Sequence, residues 1–236
     1  QGATVDPNAT LMGAEQRNWL VNSLKASKAP WKLIANQVMI MSLDILARNS
    51  LIQNTDAWDG YGYERAYLCD VLQQNGIKNT HFITGDIHTY FAGLVSRSGR
   101  GPGQDYQNIK GGPAVATEFV VSAITSSGIP EFVTGPLFKD GFPNDFSYVL
   151  EEGLRNALGA LVDNVVKTSN DHIKYSGAAY KGYGLVEVGT DAMKVKYRAT
   201  HQAKNPNSTP FTWASFTVPK DQNIIQQDAV ASQKKG

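Results

Sequence analysis

The chain has one cysteine, Cys69, and four histidines in 236 residues. A lone cysteine cannot form an internal disulfide, so the fold is not a disulfide framework, although an oxidising compartment stays open. An excess of either charge is missing too, since 22 Lys+Arg against 21 Asp+Glu leave a net +1. That balance gives no general electrostatic attraction to nucleic acid or to an anionic membrane. No run approaches the ~18 to 20 apolar residues that a membrane-spanning helix needs. The sequence also lacks Gly-x-x-x-x-Gly-Lys-Ser/Thr, Gly-x-Ser-x-Gly, His-Glu-x-x-His and Cys-x-x-Cys. Several phosphate-loop, serine-hydrolase, zincin and redox mechanisms are thereby excluded for want of parts. What is there is a 42% apolar chain, long enough to bury a substantial core.

Neither an internal repeat nor a composition break divides it. Residues 1–11 read as a polar lead-in, 12–218 as one folded unit and 219–236 as a polar tail that frays. The first helix is expected over 14–26, with Gln16, Leu20 and Leu24 on one side. Pro30 ends it, and residues 31–41 read as a largely buried strand holding Asn36 and Gln37. A second helix is expected over 63–74, with Tyr63, Ala66, Tyr67, Val71 and Leu72 on one face. Asn75-Gly76 supplies its stop. Strands are expected over 80–84, 90–95 and 114–121. A long helix follows over 146–166, capped by Asn144 or Asp145. Residues 183–188 and 193–199 flank Gly189-Thr190-Asp191, a hairpin signal, and 211–218 add an edge strand. Mixed strands and helices make the class α/β or α+β.

The most informative segment is Phe82-Ile83-Thr84-Gly85-Asp86-Ile87-His88. An apolar strand ends in glycine and then sets a carboxylate and an imidazole two residues apart. Strand ends of this kind collect polar ligands in α/β sheets. A carboxylate suits a hard cation and an imidazole a transition metal, so the pair can serve two neighbouring ions. The alternative is a capped strand end in which His88 simply packs. In Trp58-Asp59-Gly60-Tyr61-Gly62-Tyr63-Glu64-Arg65, Arg65 can grip a phosphate while Tyr61 or Trp58 walls the pocket. Structurally, Asp59 is instead an N-cap, Trp58 a staple and Arg65 a solvated helix residue. Asn36, Gln37 and Glu118 need partners if buried, and Glu118 can pair with Arg65. Among the remaining histidines, His81 and His201 read as structural, and Cys69 as a core residue.

These segments together resemble the PhoD-type alkaline phosphatases of the calcineurin-like metallophosphoesterase superfamily. In order they are Gly13-Ala14-Glu15-Gln16-Arg17-Asn18-Trp19-Leu20, residues 31–39, and Trp58-Asp59-Gly60-Tyr61 with Arg65. Then come Gly85-Asp86-Ile87-His88, Glu118-Phe119-Val120 with Ser122-Ala123-Ile124-Thr125-Ser126, and His172-Ile173-Lys174-Tyr175 with Gly182-Tyr183. The resemblance implies two packed mixed β-sheets flanked by helices and a dinuclear or multinuclear centre, Fe3+ and Ca2+, that hydrolyses phosphate mono- or diesters. It implies Asp86, His88 and Gln37 as metal ligands, His88 and Arg65 as catalytic, and Arg65, Tyr61 and Trp58 as substrate-binding. The superfamily's opening motifs, including the bridging aspartate, do not occur here. The chain therefore reads as a C-terminal half, incomplete on its N-terminal side, with the N-terminal half of the same precursor expected as a separate partner chain. Family analogy implies a secreted or periplasmic protein. The rival function is a non-catalytic binding or assembly module that keeps the scaffold without the metals.

Overall fold

The computed structural model describes residues 6–44, 55–97, 113–126, 128, 146–203 and 205–230. Within them the order is α1 (Gly13–Ala26), β1 (Lys32–Asn36), a single 3-10 turn (Trp58–Gly60), α2 (Gly62–Gln74), β2 (Thr80–Thr84), β3 (Tyr90–Val95) and β4 (Ala116–Val120). The chain continues with α3 (Phe146–Ser169), β5 (Ile173–Gly177), β6 (Lys181–Val188), β7 (Ala192–Thr200), β8 (Phe211–Pro219) and β9 (Gln226–Gln227).

The first sheet has the order β1-β2-β4-β3-β5. β1, β2 and β4 run parallel, and β3 runs against both β4 and β5. The second sheet, β6-β7-β8-β9, is antiparallel throughout. Two packed sheets are thus present, but only the first is mixed. Helices cover one side of that sheet: Leu24 of α1, Leu68, Cys69 and Leu72 of α2 and Val166 of α3 share a core with Phe82, Phe91 and Val120. The asparagine or aspartate expected to cap α3, and the side chains of Leu150 and Leu154, lie outside the described residues.

The other side of the first sheet meets the second. Phe119 and Tyr90 pack with Met193, Val195, Tyr197 and Phe216. Burying each such side chain stabilises by about 1.5 to 3 kcal/mol relative to leaving it in water. Tyr197 crosses this interface: its ring stacks 4.7 Å from that of Tyr90, and its hydroxyl donates to Phe91 O at 2.6 Å. A buried phenol needs such a partner. On β7, Met193, Val195 and Tyr197 point inward while Lys194 is exposed, as the alternation of the sequence requires.

Several expectations change. The strand expected over 31–41 ends at Asn36. Among the described residues β1 is an edge strand, not a central one, and Leu33 is 45% exposed. Residues 39–44 stay buried but leave the sheet, because side chains instead of a neighbouring strand receive their amides. On α2 the buried face is Glu64, Arg65, Leu68, Cys69, Val71 and Leu72, whereas Tyr63 and Tyr67 are exposed. Glu64 explains the rotation. Its carboxylate accepts Thr10 Oγ1 and Leu11 N, each at 2.6 Å, so α2 turns that residue inward to hold the start of α1. On α1, Val21 and Leu24 are buried and Gln16 and Trp19 exposed. β8 is covered by β9, so it is not an edge, and Asp228 ties that part of the tail to Ser215 and Thr217.

Candidate functional site

Asn36 of β1 pairs with Thr84 of β2, and Thr84 with Val120 of β4. Three parallel strands therefore end level with one another, which is where open α/β sheets build ligand sites. Gln37, the Gly85–His88 loop and Ser122 follow those ends. Asp86 and Gln37 are exposed and His88 is half-buried. The loop's conformation is unusual: φ is 72° at Asp86 and 56° at His88. Left-handed backbone at a residue other than glycine costs about 1 to 3 kcal/mol, and it clusters at functional sites. Ile87 N donates to Gly85 O at 3.0 Å, closing a three-residue turn around Asp86. Both candidate ligands thus stand on a bent loop at the shared strand edge.

Gln37 lies beside them at the end of β1. The preceding amide, Asn36 Nδ2, donates to Val38 O at 2.6 Å and to Thr84 Oγ1 at 3.3 Å. A backbone carbonyl is therefore the main partner of Asn36. In donor type, a carboxylate, an imidazole and an amide oxygen fit a metal centre. In number they do not complete one, since no group of three His, Cys, Asp or Glu side chains comes together among the described residues.

The second candidate cluster lies at the start of α2. Arg65 is only 3% exposed. Its Nη1 donates to Ser42 Oγ at 2.9 Å and its Nη2 to Ser96 O at 3.1 Å. It is not a solvated helix residue, because two of its donors are held inside the fold. Trp58 is likewise a core residue, and Tyr61 is half-buried at the start of α2. Asp59 does not cap α2: its carboxylate accepts Leu43 N at 3.0 Å. The anticipated Arg65–Glu118 ion pair does not form. Glu118 instead receives Ile40 N and Met41 N at 3.0 and 2.7 Å and Thr84 Oγ1 at 2.6 Å.

One pattern unites these residues. His172 Nε2 donates to Ser42 O at 2.8 Å, and Asn170 exchanges bonds with the backbone of Asp44 at 2.8 and 2.7 Å. Glu118, Asp59, Arg65, Asn170 and His172 all grip the segment 40–44. Four of them, Glu118, Asp59, Asn170 and His172, bond its backbone and replace the strand ladder that the segment lacks, as buried backbone requires; Arg65 holds the Ser42 hydroxyl instead. Burial pushes the Glu118 carboxyl above its ordinary range, against the opposing bonds from Thr84, Ile40 and Met41. Desolvation also lowers His172 and His81 to about 4, so both are neutral near pH 7. Burial raises the Cys69 thiol, leaving it protonated and inert. His81 packs against Thr117 and His201 on Phe211, which is the structural role expected of both.

Sequence reasoning missed Lys181, and it quoted Ser122 without a role. Ser122 Oγ donates to His88 O at 2.9 Å, and Lys181 Nζ approaches the same oxygen at 3.4 Å. Contacts from side chains 34 and 93 residues away to a backbone carbonyl carry no spacing signature.

The family model for PhoD-like phosphatase matches residues 1–197. The chain belongs to the PhoD-like phosphatase family. Alkaline phosphatase D of Bacillus subtilis (strain 168) is 28% identical over 222 residues, which is 94% of this chain and 32% of that protein. A solved structure, "Structure of PhoD", superposes with a TM-score of 0.72 at 24% identity, over 98% of this chain and 37% of the other. At that identity the likeness speaks for the fold. The chain spans about a third of the length of these PhoD relatives.

Proposed function

We propose that this member of the PhoD-like phosphatase family forms part of a metal-dependent hydrolase of phosphate esters. Asp86 and His88 are its metal ligands and Gln37 a further oxygen donor. The observation that carries this reading is the strained Asp86-Ile87-His88 loop at the level ends of three parallel strands. Asp86 and Gln37 offer the hard oxygens that calcium prefers, and His88 offers the nitrogen that suits iron. A bound metal centre would polarise a phosphoryl oxygen and lower the pKa of a coordinated water. Arg65 takes a supporting part from inside the fold, through Ser42 and the segment 40–44.

The remaining ligands are proposed to come from a complementary polypeptide, the N-terminal half of the same precursor. Two features support it. β1 has one unpaired edge among the described residues, and a groove of about 690 Å³ runs along it, lined by Leu20, Leu24, Trp31, Leu33, Ile34 and Val38. An uncovered edge and an apolar groove are what a protein normally hides. Family membership also supports a secreted or periplasmic site of action. No described helix is long and apolar enough to cross a membrane.

Native material analysed by intact mass and elemental metal content tests the proposal. The expected result is a second polypeptide, bound iron and calcium, and phosphate-ester hydrolysis that Asp86→Ala and His88→Ala abolish with loss of metal. Full metal content and activity in both variants would end the assignment. A metal-free, inactive native protein would favour the non-catalytic module.

A further inference from the structure

Two residues of the Gly85–His88 loop, neither a glycine, hold positive φ, and at His88 the support comes from outside the loop. Ser122 Oγ donates to the His88 carbonyl at 2.9 Å, and Lys181 Nζ lies 3.4 Å from it. Both side chains belong to buried residues, 7% and 5% exposed, so water competes poorly for these bonds. Each anchor is itself fixed. Val121 N donates to Thr84 O at 2.8 Å and holds the chain before Ser122 against β2. Gly182 N donates to Ala123 O at 2.9 Å, which locks the residue after Lys181 to the residue after Ser122. The anchors come from different sheets, Ser122 after β4 and Lys181 at the first position of β6. The loop is thus pinned where the two sheets meet.

Extended backbone would keep residues 86 and 88 about 6.6 Å apart along a line. Left-handed backbone at both positions breaks that line and bends the loop. We propose that Ser122, assisted by Lys181, is a positioning residue that holds the turn at His88 and thereby aims Asp86 and His88 at one metal centre. This rests on the reading of those two residues as ligands. Outer partners of metal ligands orient them in the same way, and their loss typically costs ten- to a hundredfold in affinity.

The test is NMR on the isotopically labelled chain in its native assembly, with Mn2+ alone as the probe. Binding is read from paramagnetic broadening at residues 86–88, and backbone conformation from the His88 carbon shifts. Ser122→Ala is expected to weaken Mn2+ binding about tenfold or more, while Ser122→Thr, which restores a hydroxyl, recovers most of it. Lys181→Met should show a smaller loss, in keeping with its longer contact, and it serves in place of Ser122→Ala should that variant not fold. Wild-type Mn2+ affinity in both Ser122→Ala and Lys181→Met, with binding abolished in His88→Ala, would overturn the positioning role. If Asp86→Ala and His88→Ala also bind Mn2+ normally, the ligand reading fails by itself. The anchor then stands or falls on the His88 shifts: loss of left-handed values in Ser122→Ala supports it, and their persistence overturns it.

Discussion

The hydroxyl of Thr84 donates to Glu118 Oε1 at 2.6 Å while accepting a bond from Asn36 Nδ2 at 3.3 Å. The ends of β1, β2 and β4 are thus stitched together by side chains, and Glu118 carries the stitch on to Ile40 and Met41. Because those amides are buried, removing their acceptor leaves them without partners. Glu118→Ala is expected to cost roughly 3 to 5 kcal/mol, and Glu118→Gln less, since its amide oxygen still accepts. Urea denaturation of the variants measures this; an unchanged midpoint in Glu118→Ala would remove the stitch from the account.

Histidine burial sets an acid limit on stability. His172 and His81 fall to about 4 in the folded chain, whereas the unfolded chain protonates near pH 6.5. Between those values the unfolded state binds more protons, so stability drops as pH falls from about 6.5 towards 4. The loss is roughly 1.4 kcal/mol per pH unit per histidine, with no contribution from either above that window. His172→Gln should reduce the slope by about half, as read from denaturation midpoints between pH 4 and 8. Glu118 acts in the opposite sense. Its raised pKa makes the folded state the better proton binder above the ordinary carboxylate range, so its contribution declines as pH rises there.

Gly182 has φ of +155°, and an added Cβ would lie 1.9 Å from Arg198 O and 2.6 Å from the Tyr90 hydroxyl. Arg198 O lies on β7, which pairs with β6, and it accepts the Tyr90 hydroxyl at 2.9 Å, so moving either atom disturbs that pairing or that bond. Gly182→Ala should therefore cost more than about 3 kcal/mol or prevent folding. Gly76 is the contrast: its φ is +59° and nothing lies within 4 Å. Gly76→Ala should cost only about 1 kcal/mol. Similar Tm values for the two variants would contradict the packing argument.

Arg65→Lys should act first on stability. An ammonium cannot reproduce a planar fork that reaches both Ser42 Oγ and Ser96 O, so a loss of roughly 1 to 3 kcal/mol is expected. A fold as stable as wild type, with weakened phosphate binding, would return Arg65 to direct substrate contact.

Period and punctuation in the sequence were enough for most elements. The alternation Met193, Val195, Tyr197 against Lys194, Lys196, Arg198 marks β7 because a two-residue repeat has one wet face. Gly189-Thr190-Asp191 marks its hairpin, and Asn75-Gly76 stops α2, because these residues accept turn geometry that others resist. The Gly-Asp-x-His signature could be found because the loop is continuous in sequence. Tertiary structure decided the rest. Whether residues 37–44 continue a strand depends on Glu118, Asp59, Arg65, Asn170 and His172, which are scattered over more than 110 residues and meet only when the sheet and helices pack. The inward turn of α2 depends on Glu64 finding Thr10 and Leu11, and the posture of His88 on Ser122 and Lys181. Local periodicity records which face of an element is apolar. It does not record which buried polar group, far along the chain, must be satisfied, and in this protein that requirement sets the geometry around the site.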